Sequence, residues 1–276
     1  MAGLPLVLPL NDPRCRDVAV SGGKGASLAV MMAEGLPVPR GFVVTSAAFA
    51  NAVDVEAVRE LMEARDAAAV RGVVAAAEPP VDLIGQQYSR LEGLVAVRSS
   101  ACAEDSERAS YAGVQETYLN VEGLESLLKH TVECWLSFFS ERAVFYREEK
   151  GSLSDVGIAV VVQEMVQSRK SGVLFTVDPV QGRRDRMIVE AAYGLGEVVV
   201  SGSSTPDHYV LDRQGEIRRS RAGASHDPVL NELECRALAQ VAQRVVELYG
   251  SEQDIEWAID AAGAIALLQS RPVTTV

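Results

Sequence analysis

The order of helical and extended segments predicts an α/β protein in two parts, 1–167 and 168–276, the first rich in helices and the second in strands. Three observations carry this expectation. Before residue 150, Ala- and Leu-rich stretches repeat their apolar residues at three- and four-residue spacing, the period of a helix lying on a core. After Gly151, short β-branched runs are separated by turns containing Gly, Pro and Asp, the pattern of consecutive strands. Composition supplies the interior: 48% of the residues are hydrophobic and 23% charged, and aromatics at 5% leave Val, Ala and Leu to fill the core.

Each element follows from local chemistry. The apolar start, Leu4 to Leu10, is broken by two prolines and closed by Asn11-Asp12-Pro13-Arg14; no basic residues precede it, so it does not read as a signal peptide. Gly22-Gly23-Lys24-Gly25 forms a loop that opens a short helix. In it Ala26, Leu28, Ala29, Met32 and Ala33 recur at helical spacing until Gly35, Pro37 and Pro39 stop it. Phe42 to Thr45 reads as a strand, and Asp54 to Glu78 as one Ala-rich amphipathic helix ended by Pro79-Pro80. Leu94 to Ser100 is a buried-type strand running into a polar loop, Ala101 to Glu116. A long helix follows over about Glu122 to Glu149, with Trp135, Phe138, Phe139 and Val144 toward the core. In the second part Ile158 to Val166, Gly172 to Val177, Arg186 to Ala192 and His208 to Asp212 are strands. Asn231 to Tyr249 is a helix, and Asp254 to Arg271 is a hairpin.

Charge and cysteine usage narrow the function. Twenty-six Lys and Arg against 38 Asp and Glu give a net charge of −12, which excludes the basic stripe that nucleic-acid backbones require. No window approaches the uninterrupted apolar length of a membrane-spanning helix, so no membrane partner is expected. Cys15, Cys102, Cys134 and Cys235 lie far apart with no CxxC, suggesting neither a zinc site nor a disulfide framework and fitting a reducing cytoplasm.

The hairpin carries the most chemistry. Asp254 to Asp260 alternates strictly, and Ala261-Ala262-Gly263-Ala264 supplies a turn. If that turn pairs Asp260 with Ile265, Glu256 lies opposite Gln269 and Asp254 opposite Arg271. Ile255, Trp257 and Ile259 then face the core while the four polar residues converge on the other side. A carboxylate, an amide oxygen and a guanidinium on one face suit a magnesium-bound polyphosphate: hard oxygens for the metal, a fork for phosphate. A solvated hairpin face has the same pattern. Gly22-Gly23-Lys24-Gly25 could cradle phosphate through backbone N–H groups, with Lys24 as a point charge, although it lacks the full P-loop spacing and also suits a plain turn. Arg98-Ser99-Ser100 and the small-residue stretch Ala109 to Thr117 add a second cation and a second loop permitting close backbone approach.

These residues resemble the N-terminal ATP-grasp domain shared by pyruvate phosphate dikinase, phosphoenolpyruvate synthase and rifampicin phosphotransferase. The matching stretches are GGKGASLAVMMAEGLPVPRGFVVT, VAVRSSACAEDSERASYAGVQETYLNV, CWLSFFSERAVFYR, AVVVQEMV, SGVLFTVDPV, AAYGLGEVVVSGSSTPDHYVLD and GSEQDIEWAIDAAGAIALLQSRP, in family order over nearly the whole chain. The resemblance implies an ATP-grasp-type α/β fold of two subdomains with MgATP in the cleft between them. It implies that Lys24 and Arg98 contact ATP phosphates, that Gly113 and Thr117 belong to a phosphate-covering loop, and that Gln163 lies by the adenine strand. It further implies that Glu256 and Gln269 hold Mg2+ and that Arg271 clamps phosphate; Asp254 and Glu197 are second-tier candidates.

The resemblance also implies a function and its missing pieces. Enzymes of this family pass a phosphoryl group from ATP to a histidine on a swivelling domain, then to a small acceptor, leaving AMP and phosphate. That domain's Ser-His-Ala motif does not occur here: His226 is followed by Asp227-Pro228, and His130 and His208 read as structural. The family's C-terminal substrate domain has no counterpart either, and segments near residues 55–90 and 215–230 are shorter than the family's. The expected function is a cytoplasmic ATP-dependent phosphotransferase module acting on a histidine of a partner domain or protein, with pyruvate, an antibiotic hydroxyl or a phenol as final acceptor. A freestanding ATP-grasp ligase or kinase and a non-catalytic nucleotide-binding module are the alternatives.

Overall fold

The computed structural model describes residues 3–102, 116–140, 143–144, 157–196, 205–224 and 227–274. The chain forms two compact units: Met1–Val30 with Arg40–Met165, and Met31–Pro39 with Val166–Val276.

The first unit is built on five antiparallel strands, β1 (Val7–Pro9), β2 (Gly41–Val44), β3 (Val95–Ala101), β4 (Thr117–Val121) and β5 (Ile158–Glu164), in spatial order β1-β2-β5-β3-β4. Helices α1 (Val18–Ala33), α2 (Ser46–Ala52), α3 (Val55–Glu63), α4 (Ala67–Ala75), α5 (Val81–Tyr88) and α6 (Leu124–Ser137) accompany them. Strand β3 is buried along its whole length, and the two-residue strand period divides its side chains and those of β5 between two faces. Val95, Val97, Ala101, Ile158, Val160 and Val162 enter the main apolar core with Phe49, Trp135, Phe138 and Phe139. There the ring of Phe49 meets Trp135 edge-on at 5.6 Å and stacks on Phe139 at 5.9 Å. Ala96, Arg98 and Ser100 face the other way, opposite Gln163, Val161 and Ala159.

The Ala-rich segment is two helices, not the single one expected over Asp54 to Glu78. Asp54 and Asp66 each cap a helix, accepting the N–H of Ala57 at 3.1 Å and Ala69 at 2.9 Å, and Arg65 takes a left-handed conformation (φ 59°) between them. An aspartate side chain that bonds the following turn's amide starts a helix in preference to continuing one. Both new helices bury their apolar stripes, Val58 and Met62 on α3, Val70 and Val74 on α4.

The second unit is a six-stranded antiparallel sheet in order β11-β10-β6-β7-β8-β9, from β6 (Ser168–Phe175), β7 (Arg186–Tyr193), β8 (Asp207–Asp212), β9 (Ile217–Arg221), β10 (Gln253–Asp260) and β11 (Ile265–Pro272). Helix α7 (Glu232–Tyr249) contacts β10. It starts with a reciprocal capping box between Asn231 and Glu234 and stops at Gly250, whose φ is 66°. Glu234 also holds the Lys170 ammonium at 2.6 Å, fastening the helix start to β6. Residues 31–39 belong with this unit because Leu267 N–H donates to the Pro37 carbonyl at 2.8 Å and Arg244 to that of Glu34 at 3.1 Å. Gly172 is required: a Cβ there would lie 1.9 Å from the Glu190 carbonyl oxygen and 2.8 Å from the Trp257 ring, which is buried across it.

Buried Asp207 organises the far end of this unit. Its carboxylate accepts from Tyr209 Oη (2.9 Å) and from the backbone N–H groups of Gly223 (2.7 Å) and Val229 (2.9 Å), tying the chain after β9 back to the start of β8. Cys15, Cys134 and Cys235 are buried thiols; burial pushes Cys15 and Cys235 up to about 12, which removes thiolate reactivity at ordinary pH. No helix among the described residues is long and apolar enough to cross a membrane.

Candidate nucleotide and metal site

In the first unit the candidate residues gather on the sheet face opposite the main core. Arg98 lies on β3 directly across from Thr117 on β4 and from Val161 on β5, and Gln163 lies across from Ala96 and from Gly41. Lys24 sits in α1, where the glycines do more than form a loop. The helix begins at Val18, before the glycines, and kinks at Gly22 (φ 69°, ψ 173°), a conformation open only to glycine. A Cβ on Gly22 would stand 2.2 Å from the Ser100 carbonyl oxygen and 2.3 Å from Ser100 Oγ. Ser100 locks the kink to β3: its hydroxyl donates to the Ser21 carbonyl (2.8 Å) and accepts from Gly25 N–H (3.1 Å). The non-helical Gly22 divides two helical pieces, so the glycines do open the helix that carries Lys24, with one added turn from Val18 before them, and the Gly25 amide is committed to Ser100. Lys24, Arg98 and Gln163 are all buried.

In the second unit the candidate residues lie on the β10–β11 hairpin. Glu256 is opposite Gln269 and Asp254 opposite Arg271, as the alternation required, while Ile255, Trp257 and Ile259 are buried on the other face. The turn pairing differs from expectation. Ile265 pairs with Ile259, not Asp260, and the register changes between Glu256 and Trp257, leaving Leu268 as the extra residue of a β-bulge. The turn is one residue tighter than expected: Asp260 N–H donates to the Ala264 carbonyl (3.1 Å), and Asp260 Oδ1 accepts from Ala262 N–H (2.9 Å) and Ala264 N–H (2.8 Å), which places Asp260 opposite Ala264.

The Arg271 guanidinium donates through Nε (2.8 Å) and Nη2 (2.7 Å) to Asp254 Oδ2. Burial raises the Asp254 carboxyl above the ordinary carboxylate range; Arg271 pulls it down and Glu256 adds to the rise, and burial prevails. Arg271 thus anchors on Asp254 while its side chain remains 38% exposed. Glu256 and Gln269 offer one carboxylate and one amide oxygen side by side. Among the described residues no group of three or more His, Cys, Asp or Glu could hold a metal alone. A two-oxygen set of this kind fits Mg2+, which takes one or two protein oxygens and completes its shell with water and substrate phosphates.

Three sequence candidates, Gly113, Glu197 and His226, lie outside the described residues. His130 is structural: its Nδ1 is 2.7 Å from the Ser126 carbonyl oxygen and its ring is 4.5 Å from that of Tyr118. Ser100 and Ser21, which position the Lys24 turn, were not singled out from sequence; the small residues after Arg98 were the available signal.

The family model for the pyruvate phosphate dikinase AMP/ATP-binding domain matches residues 18–276. The chain belongs to this family. Relatives include a probable phosphoenolpyruvate synthase of Methanothermobacter thermautotrophicus, 40% identical over 94% of this chain and 45% of that protein. A rifampicin phosphotransferase of Streptomyces is 39% identical over 98% of this chain and 36% of that protein. The chain thus spans less than half of these relatives. The alignment to the first runs over 309 positions, longer than the 276-residue chain, so that relative carries insertions absent here. Among solved structures, a biotin carboxylase–ATP complex from Campylobacter jejuni gives a TM-score of 0.43 at 12% identity, over 96% of this chain and 42% of that one. The fold is mixed α/β on two antiparallel sheets, the class that the resemblance implied.

Proposed function

We propose that this chain is a phosphotransferase module that binds MgATP and transfers a phosphoryl group to a histidine supplied by a partner domain or protein, leaving AMP and phosphate, for delivery to a small-molecule acceptor. The pairing of Glu256 with Gln269 and of Asp254 with Arg271 on one sheet face carries this reading. Membership in an AMP/ATP-binding family and the phosphotransferase names of its relatives support it. Glu256 and Gln269 would hold Mg2+, which when bound supplies charge neutralisation for the polyphosphate. Lys24, Arg98 and Arg271 bind phosphate oxygens and stabilise the charge that develops on the transferred group. Thr117, beside Arg98, and the Gly113 segment cover the phosphates, and Gln163 selects the base. No general base is required of this chain, because a neutral imidazole is already nucleophilic.

The test is calorimetric titration with ATP, with and without magnesium, followed by nucleotide analysis. Magnesium-dependent binding with slow turnover, and AMP as the nucleotide product once a histidine partner is added, is the expected result. ADP as the sole product would replace this reading with a kinase or ligase acting directly on its acceptor, and absence of binding would overturn it.

A further inference from the structure

The sheet face that carries Glu256 and Asp254 continues, within the second unit, into a cavity of about 800 Å3 that the nucleotide chemistry does not use. That volume is in the range of small-molecule sites. Its floor is one cross-strand row, Phe175, Ile188 and Val210, which begins where Asp254 pairs with Phe175. The next row places Glu190 directly across from His208. Arg219 on β9 pairs with Val210 and lines the opposite side.

Most of the charged lining is committed. Asp178 accepts from the N–H groups of Val180 (3.0 Å) and Gln181 (2.9 Å), Asp212 from those of Gln214 and Glu216 and from Arg218, and Asp185 is bound by Arg183. These bonds hold the rim. The side chains of Glu190, His208 and Arg219 make no hydrogen bond or ion pair with another described residue, although Glu190 and His208 are cross-strand neighbours and all three line the cavity. Glu190 on β7 therefore stands two strand spacings, about 10 Å, from Arg219 on β9, with His208 and Val210 on the intervening β8. That span suits a molecule the size of an amino acid.

We propose that this cavity binds a small carboxylate with an apolar body and a hydrogen-bond donor, hydroxyl or ammonium, on its α-carbon. The carboxylate meets the Arg219 guanidinium, the apolar body lies on Phe175, Ile188 and Val210, and the donor meets Glu190 with His208 beside it. Carboxylate and guanidinium match as a planar fork, and the shared floor excludes charged side chains on the ligand. The site stands on residues distinct from those of the proposed nucleotide site, so either reading can fail alone.

Leucic acid and leucine serve as hydroxyl and ammonium probes, and isocaproate, which lacks the donor, as the control. Each is titrated to about 20 mM, a range that reaches the weak affinities of ligands this small. Binding is read from the imidazole NMR signals of the three histidines, assigned by His→Gln variants. The His208 signal should move on addition of leucic acid, leucine or both, and isocaproate should bind at least about tenfold more weakly. Arg219→Ala should weaken binding by a similar factor, and Glu190→Gln should penalise leucine more than leucic acid. A His208 signal that stays in place with every probe, equal binding of isocaproate, or affinities unchanged in both Arg219→Ala and Ile188→Arg would overturn the proposal.

Discussion

Replacing Gly22 with alanine should destabilise the first unit by about 4 kcal/mol and weaken nucleotide binding, whereas the same change at Gly93 should cost only about 1–2 kcal/mol. Both glycines have left-handed φ, 69° and 71°, so both variants pay a backbone penalty. Gly93 has nothing within 4 Å of its would-be Cβ; Gly22 has the Ser100 carbonyl oxygen at 2.2 Å and Ser100 Oγ at 2.3 Å. Relief of that clash separates α1 from β3 and breaks the Ser100 bonds to Ser21 and Gly25. Two buried hydrogen bonds at about 1 kcal/mol each, added to about 1–3 kcal/mol of strain, give the figure. Trp135 is in the first unit and Trp257 in the second, so urea unfolding followed by fluorescence in a Trp257→Phe background reports on the first unit. Because Lys24 rides on the displaced turn, calorimetry should show weaker MgATP binding in Gly22→Ala and parental affinity in Gly93→Ala. Equal destabilisation by the two substitutions would refute the contact between the kink and β3 as the reason for glycine at position 22.

Other substitutions test the remaining parts. Glu256→Ala should abolish the magnesium dependence of ATP binding with little loss of stability, and Arg271→Ala should abolish binding while costing about 1–2 kcal/mol by stranding buried Asp254; parental calorimetry in either variant refutes the assignment. Burial raises the Asp254 carboxyl, so the folded protein holds that proton to higher pH than the unfolded chain, and the associated stability is lost as pH rises through the folded value. Asp254→Asn should therefore gain on the parent in urea midpoint as pH is raised from about 4 to 7, and a gap that narrows would reverse the sign. Gln163→Ala should lower the preference for ATP over GTP more than it lowers phosphate affinity, as read by competition binding. Asp207→Ala, which removes two buried hydrogen bonds and one part-buried one, should cost about 3–5 kcal/mol in thermal unfolding, and a loss below about 1 kcal/mol would show that the segment after β9 is held otherwise.

Legibility in the sequence tracked how local the determining physics was. Strands β3, β5 and β7 were readable because continuous burial selects β-branched and small apolar runs, and α7 because its cap, apolar stripe and terminal glycine all sit within its own sequence. Trp135, Phe138 and Phe139 were placed in the core correctly, although α6 stops at Ser137 and the two phenylalanines pack from the turn beyond it. β4 and β9 were missed. β4 is mostly half-exposed and follows a polar stretch, and β9, Ile217–Arg221, is an edge strand with four exposed residues, three of them arginine. Charge on an edge guards against pairing with other chains and at the same time erases the apolar signature of a strand. The Gly22 kink was invisible because its cause, Ser100, lies in a different strand far along the sequence.

The hairpin shows how a cross-strand pairing can be read correctly through an incorrect step. Near the turn, β11 alternates with Ile265 and Leu267 opposite Ile259 and Trp257 on the buried face. Continued without interruption, the two-residue period would place Gln269 and Arg271 on that same buried face, opposite Ile255 and Gln253. The bulge at Leu268 shifts the remainder of the strand by one residue and delivers both side chains to the face of Glu256 and Asp254. The strict alternation of β10 fixes where the carboxylates go, and the extra residue in β11 decides that the amide and the guanidinium join them. A one-residue register change flips every subsequent side chain, so the pairing of the proposed metal and phosphate ligands rests on this bulge as directly as on the identity of the four residues.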